Sequence, residues 1–85
     1  MSRITVYTTH PCAHCARVKG LLKGRGLDFE EINLTKDPGG RMELASRTGM
    51  MTFPQVLVDG QLLGSFTETQ AAAKSGRLDE LLASA

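Results

Sequence analysis

Asp59-Gly60 constrains this chain more than any other pair of residues. It stands between two apolar runs, Val56-Leu57-Val58 and Leu62-Leu63, and a two-residue Asp-Gly loop is a strong signal for a hairpin with antiparallel strands. Upstream, strand-like and helix-like patterns alternate, which alone would build parallel βαβ units. The hairpin excludes an all-parallel sheet. It predicts an α/β fold with a four-stranded mixed sheet and flanking helices.

The elements follow from periodicity and from residues that start or stop them. Ile4-Thr5-Val6-Tyr7 is a β-branched and aromatic run and reads as the first strand. The helix after Cys12 places Cys15, Val18, Leu21 and Leu22 on one side and Arg17, Lys19 and Lys23 largely on the other, and Gly24 and Gly26 end it. Leu27 to Leu34 reads as the second strand, anchored by Phe29, Ile32 and Leu34, with Glu30 and Glu31 at an edge or facing solvent. Asp37 followed by Pro38 is a helix start, an acceptor cap before a residue that lacks the N–H a first turn leaves unpaired. Met42, Leu44 and Ala45 give this second helix a weak apolar face, and Gly49 stops it. Thr52-Phe53-Pro54 introduces the third strand, in which Val56 and Val58 alternate with Gln55 and Leu57; Leu62 and Leu63 return to Gly64. Thr67-Glu68-Thr69-Gln70 has the form of a capping box, with Thr67 as the cap and Phe66 as a staple partner for Ala71. Gly76 closes that helix, and Leu78, Leu81 and Leu82 have the spacing of a short final one. The expected order is βαβαββα plus a short C-terminal helix. Residues 1–85 form one domain, near the size at which a single core suffices without staples.

The chemistry concentrates in Tyr7-Thr8-Thr9-His10-Pro11-Cys12-Ala13-His14-Cys15. Pro11 biases His10 away from helical angles, so a turn separates strand from helix and Cys12 sits on it, at a helix N-terminus. Free backbone N–H groups and the helix dipole favour an anion there, and only the thiolate attacks a disulfide. Cys15, one helical turn on, can resolve a mixed disulfide. A redox couple is what this spacing after the first strand of a βαβ pattern supports. A zinc site from His10, Cys12, His14 and Cys15 is the alternative, although its ligands would have to converge from opposite sides of a turn. A structural disulfide closing so short a loop restrains little of the unfolded chain.

Apolar residues make up 41% of the chain and charged ones 22%, with a formal net charge of +1, so neither a nucleic-acid partner nor disorder is indicated. No run of 18 apolar residues occurs, which argues against a signal peptide and a membrane span, and a cytoplasmic monomer is expected.

These residues resemble the glutaredoxin branch of the thioredoxin-fold family over essentially the whole length. The matches are Tyr7-Thr8 before the turn, Cys12-Ala13-His14-Cys15, Thr52-Phe53-Pro54-Gln55 leading into a valine-rich strand and Asp59, and Gly64 before the third helix. The resemblance implies a thiol-disulfide oxidoreductase in which Cys12 attacks and Cys15 resolves, a cis peptide bond at Pro54 beside Cys12, and backbone pairing of Phe53 with a cysteinyl substrate, with Thr52 completing that motif. It implies no bound cofactor, glutathione or another thiol as co-substrate, and disulfide-containing proteins as partners. Arg41 matches a position that contacts the glycine carboxylate of glutathione, and also suits an ordinary surface arginine. A histidine before the second cysteine, here His14, is either an exposed polar residue of the first helical turn or a hydrogen-bond donor to the Cys12 thiolate.

The chain also departs from the pattern. Glutaredoxins usually carry lysine where Thr9 stands, two glycines where Gly64-Ser65 stands, and aspartate where Thr67 stands. Charge-assisted hydrogen bonds are worth about 1.5 to 3 kcal/mol each. Losing two would weaken glutathione recognition by about two to four orders of magnitude unless Arg41 or Glu68 compensates. The departures point towards redoxins that use another low-molecular-weight thiol or towards NrdH-like redoxins, reduced by a thioredoxin-reductase-like flavoprotein, in which Ser-Gly-Phe precedes the third helix and Ser65-Phe66 is a loose counterpart. Ala13 in place of proline after the first cysteine leaves an iron-sulfur or metal carrier as the other function class.

Overall fold

The computed structural model describes residues 3–83. Its elements are β1 (Ile4–Thr8), α1 (Ala13–Gly24), β2 (Glu30–Asn33), α2 (Pro38–Thr48), β3 (Gln55–Val58), β4 (Gln61–Gly64), α3 (Phe66–Ser75) and α4 (Arg77–Ala83). The strands form one sheet in the order β2-β1-β3-β4; β1 is parallel to β2 and antiparallel to β3, and β3 is antiparallel to β4. This is the expected four-stranded mixed sheet with flanking helices. Its sense changes at Asp59-Gly60, where both residues have positive φ, 51° and 83°. The Asp59 carboxylate also accepts a hydrogen bond from the Arg3 N–H at 2.8 Å, tying the hairpin to the start of β1.

The main core lies on one face of the sheet. Ile4 and Val6 of β1 and Val56 and Val58 of β3 meet Val18 and Leu22 of α1, Ala72 and Ala73 of α3 and Leu78 of α4. Leu57 points the other way, and with Leu34 and Leu44 it is also buried. Tyr7 and Leu44 line a small common cavity on that side, so α2 covers the second face. All of β3 is therefore buried, the Val56 and Val58 side as well as the Gln55 and Leu57 side. A central strand with helices on both faces has no solvent side.

Other boundaries shift for local reasons. β2 begins at Glu30, not Leu27, because the Leu27 N–H bonds back to the Leu22 carbonyl at 3.0 Å and Leu27 and Phe29 pack against the core without strand pairing. Asp37 caps α2 through a 2.9 Å bond from the Gly40 N–H, and Gly49 ends it at φ 77°. Met42, expected on the apolar face of α2, is 76% exposed; Leu44 is the buried residue of that helix. The N-cap of α3 is Ser65, two positions before the expected Thr67. That places Phe66 inside the first turn, which removes the staple geometry. No helix among the described residues is long and apolar enough to cross a membrane.

Candidate active site

β1 ends at Thr8, and the chain turns through Thr9, His10 and Pro11 into α1. The His10–Pro11 bond is cis, and the His10 N–H donates to Thr35 Oγ1 at 2.7 Å, which fastens this turn to the loop after β2. Cys12 is itself the N-cap of α1. Its backbone is extended (φ −157°, ψ 103°), and its Sγ accepts the Cys15 N–H at 3.0 Å. The sulfur thus occupies the place where unpaired N–H groups and the helix dipole stabilise negative charge. Cys15 lies on the inward face of α1 with Val18 and Leu22 and is only 3% exposed, whereas Cys12 is half-buried. The two sulfurs form a disulfide, with Cα atoms 5.3 Å apart.

The opposite wall of the site comes from the loop between α2 and β3. Phe53–Pro54 is a cis bond, Pro54 is buried, and the Phe53 carbonyl oxygen lies 3.9 Å from Cys12 Sγ. Thr52, expected at the site, is exposed on this loop, and its carbonyl is held from below by Gln55. Sequence reading missed Gln55 as a site residue. It is 0% exposed, donates from Nε2 to the Met50 and Thr52 carbonyls at 2.9 and 3.0 Å, and accepts at Oε1 from the Thr48 hydroxyl at 2.9 Å. The amide ties the loop that carries Phe53 to the end of α2. A polar residue opening an otherwise apolar run directly after proline was the available signal. Gln55→Leu leaves two carbonyls and a hydroxyl without that partner, and is expected to lower the free energy of unfolding by about 2 to 4 kcal/mol. Urea denaturation of the variant measures this.

The third side is the start of α3. His14 stacks on Phe66, ring centroids 5.8 Å apart and planes 16° from parallel. Ser65 donates to Glu68 Oε1 from its backbone N–H at 2.8 Å and from its hydroxyl at 2.9 Å. Those two bonds hold the Glu68 carboxyl below its ordinary value despite the cost of burial. Glu68 is therefore engaged at the helix cap rather than presented as a substitute for an acid at position 67. Thr67 is exposed in the first turn. Arg41, half-buried in α2, donates from Nη1 to the Leu34 and Thr35 carbonyls, the latter at 2.8 Å, so its guanidinium is fixed beside the Phe53 loop.

Beneath the site, the buried Thr8 hydroxyl donates to Glu31 Oε2 at 2.9 Å and Lys19 Nζ pairs with the same oxygen at 3.1 Å. Burial pushes the Glu31 carboxyl up, but these two donors and the charges of Lys19 and Lys23 outweigh it and leave the group below its ordinary value. The interaction links α1 to β2 at the base of the Cys12 turn. Among the described residues, no group of three or more His, Cys, Asp and Glu side chains is arranged to hold a metal ion.

Residues 4–63 match the family model for glutaredoxin. The chain is 34% identical over 82 residues to Glutaredoxin 3 of Escherichia coli (strain K12), covering 96% of this chain and 99% of that one. It is 38% identical over 82 residues to a glutaredoxin of Pseudomonas aeruginosa, covering 96% and 98%. The fold superposes on the crystal structure of a buckwheat glutaredoxin–glutathione complex with a TM-score of 0.87 at 26% identity, covering 98% of this chain and 78% of that one. With the thioredoxin-type sheet, the Cys12–Cys15 pair at the helix start and the cis-proline loop beside it, these matches place the chain in the glutaredoxin family.

Proposed function

We propose that the protein is a dithiol disulfide oxidoreductase that reduces disulfides of proteins and of low-molecular-weight thiols. The observation that carries this reading is the asymmetry of the pair: Cys12 Sγ is accessible and receives the Cys15 N–H at 3.0 Å, while Cys15 is enclosed. In the reduced protein the Cys12 thiolate attacks one substrate sulfur and the other leaves as a thiolate. The Cys15 thiolate then attacks Cys12 Sγ, expels the remaining substrate thiolate and closes the Cys12–Cys15 disulfide. Two protein thiols are oxidised and one substrate disulfide becomes two thiols, in balance. The Phe53 backbone beside the sulfur aligns an extended cysteinyl segment by strand-like pairing.

Glutathione is the reductant that relatives such as the buckwheat complex support, and the uncharged Thr9 and Thr67 make this chain a weak user of it. The working form is a cytoplasmic monomer. The choice of reductant is tested by treating the disulfide form with glutathione alone, or with NADPH and a thioredoxin-reductase flavoprotein, and following thiol formation. Slow but complete reduction by glutathione supports the proposal. Reduction by the flavoprotein alone removes glutathione as reductant and makes this a reductase-dependent redoxin.

A further inference from the structure

Pro38, Arg41, Met42 and Ala45 of α2 and Met51 and Phe53 of the following loop line an open groove of about 220 Å³. Met42 and Met51 are 76% and 83% exposed and stand on the same groove. Isolated exposed apolar residues need no explanation, but these two share one concavity and can serve there as a contact surface. Thioethers suit that role, since unbranched polarizable side chains repack around differently shaped guests. The groove is continuous with the active site through Phe53, whose carbonyl oxygen lies 3.9 Å from Cys12 Sγ. Arg41 brings positive charge to its lining, held by its bonds to Leu34 and Thr35.

We infer that this groove receives the side chain flanking the cysteine of an extended polypeptide substrate, and that it selects a large aliphatic residue there. The inference rests on the oxidoreductase reading and adds the substrate class to it. A polypeptide is the occupant because a segment paired with the Phe53 backbone carries its neighbouring side chain past this position, and the space is smaller than the roughly 300 to 1,000 Å³ of small-molecule pockets. The charge of Arg41 disfavours a basic residue in the same place.

The test uses short peptides in which one cysteine is a mixed disulfide with nitrothiobenzoate and the residue on either side of it is Leu, Ala or Lys. Fully reduced protein is mixed with each peptide and release of the coloured thiolate is followed in a single turnover. Cys12 attacks the peptide sulfur and nitrothiobenzoate leaves; Cys15 then displaces the peptide thiolate, so no external reductant is needed. On one flank, Leu should react about tenfold faster than Ala, equivalent to about 1.4 kcal/mol, and Lys more slowly than Ala. Met42→Gln with Met51→Gln, both exposed and uncharged, should abolish the Leu preference and change reduction of hydroxyethyl disulfide by no more than about twofold. Equal rates for all peptides, or a Leu preference that survives the double substitution, overturns the groove. If reduced protein is oxidised neither by the peptides nor by hydroxyethyl disulfide, the oxidoreductase reading itself fails.

Discussion

Cys12→Ser should lower disulfide reductase activity by about a thousandfold or more, because it removes the attacking sulfur and leaves a hydroxyl that cannot ionise near neutral pH. Cys15→Ser should behave differently. It keeps the nucleophile and its N–H donor, since the Cys15 backbone N–H bonds Cys12 Sγ whatever side chain position 15 carries. That variant should stop at the first displacement and accumulate a mixed disulfide, visible in the intact mass as the added substrate thiol. It should keep turnover only with small glutathionylated substrates, where an external thiol can replace Cys15. In the reduced wild type, Cys12 should alkylate with a midpoint below the ordinary thiol value of about 8.5, and Cys15 slowly until the chain unfolds. The difference follows from exposure and from position relative to the helix start. If Cys15→Ser were inactive and Cys12→Ser formed the trapped adduct, the assigned order of attack would be reversed.

What could be read from the sequence divides along the range of the interactions. Short-range backbone chemistry was legible: Asp37-Pro38 opens α2, Gly49 closes it in the left-handed conformation, and Asp59-Gly60 turns the hairpin. These need only neighbouring residues. Gly64 belongs with them in part, since its φ of 136° favours glycine; the rest of its constraint is tertiary, because a Cβ there would lie 2.5 Å from the Glu68 Cβ. The choice between Ser65 and Thr67 as cap was local but degenerate. Both fit an S/T-x-x-E/Q pattern, and the return of β4 to pair at Gly64 decides it in favour of Ser65. Contacts between distant elements left no such trace. The His14–Phe66 stack joins α1 to α3, and the three hydrogen bonds of Gln55 knit two elements and a loop. A polar side chain in an apolar strand announces only that it needs partners. Met42 shows the converse failure, since its helical spacing suited the core while the side chain faces solvent.

The substrate question turns on two uncharged positions. Thr9 is half-buried in the turn before Cys12 and Thr67 is exposed in the first turn of α3, on either side of the sulfur in sequence. In the family these places carry the lysine and the aspartate that hold the ends of glutathione. Thr9→Lys with Thr67→Asp should raise the catalytic efficiency with a glutathione mixed disulfide by at least about tenfold, taking a conservative gain of about 1.4 kcal/mol for restoring charge-assisted bonds. The fold should tolerate both changes. An aspartate in the first turn of a helix favours the dipole and leaves the Ser65–Glu68 cap intact, and a lysine on a turn can extend its head into water. Reduction by a flavoprotein reductase should change little, because that partner recognises the protein surface and not the termini of a tripeptide. The control is the melting temperature of the double variant, which should match that of the parent. An unchanged glutathione rate in a well-folded variant would mean that Arg41 and the backbone around Phe53 already bind the tripeptide adequately, and that the missing charges do not limit this protein.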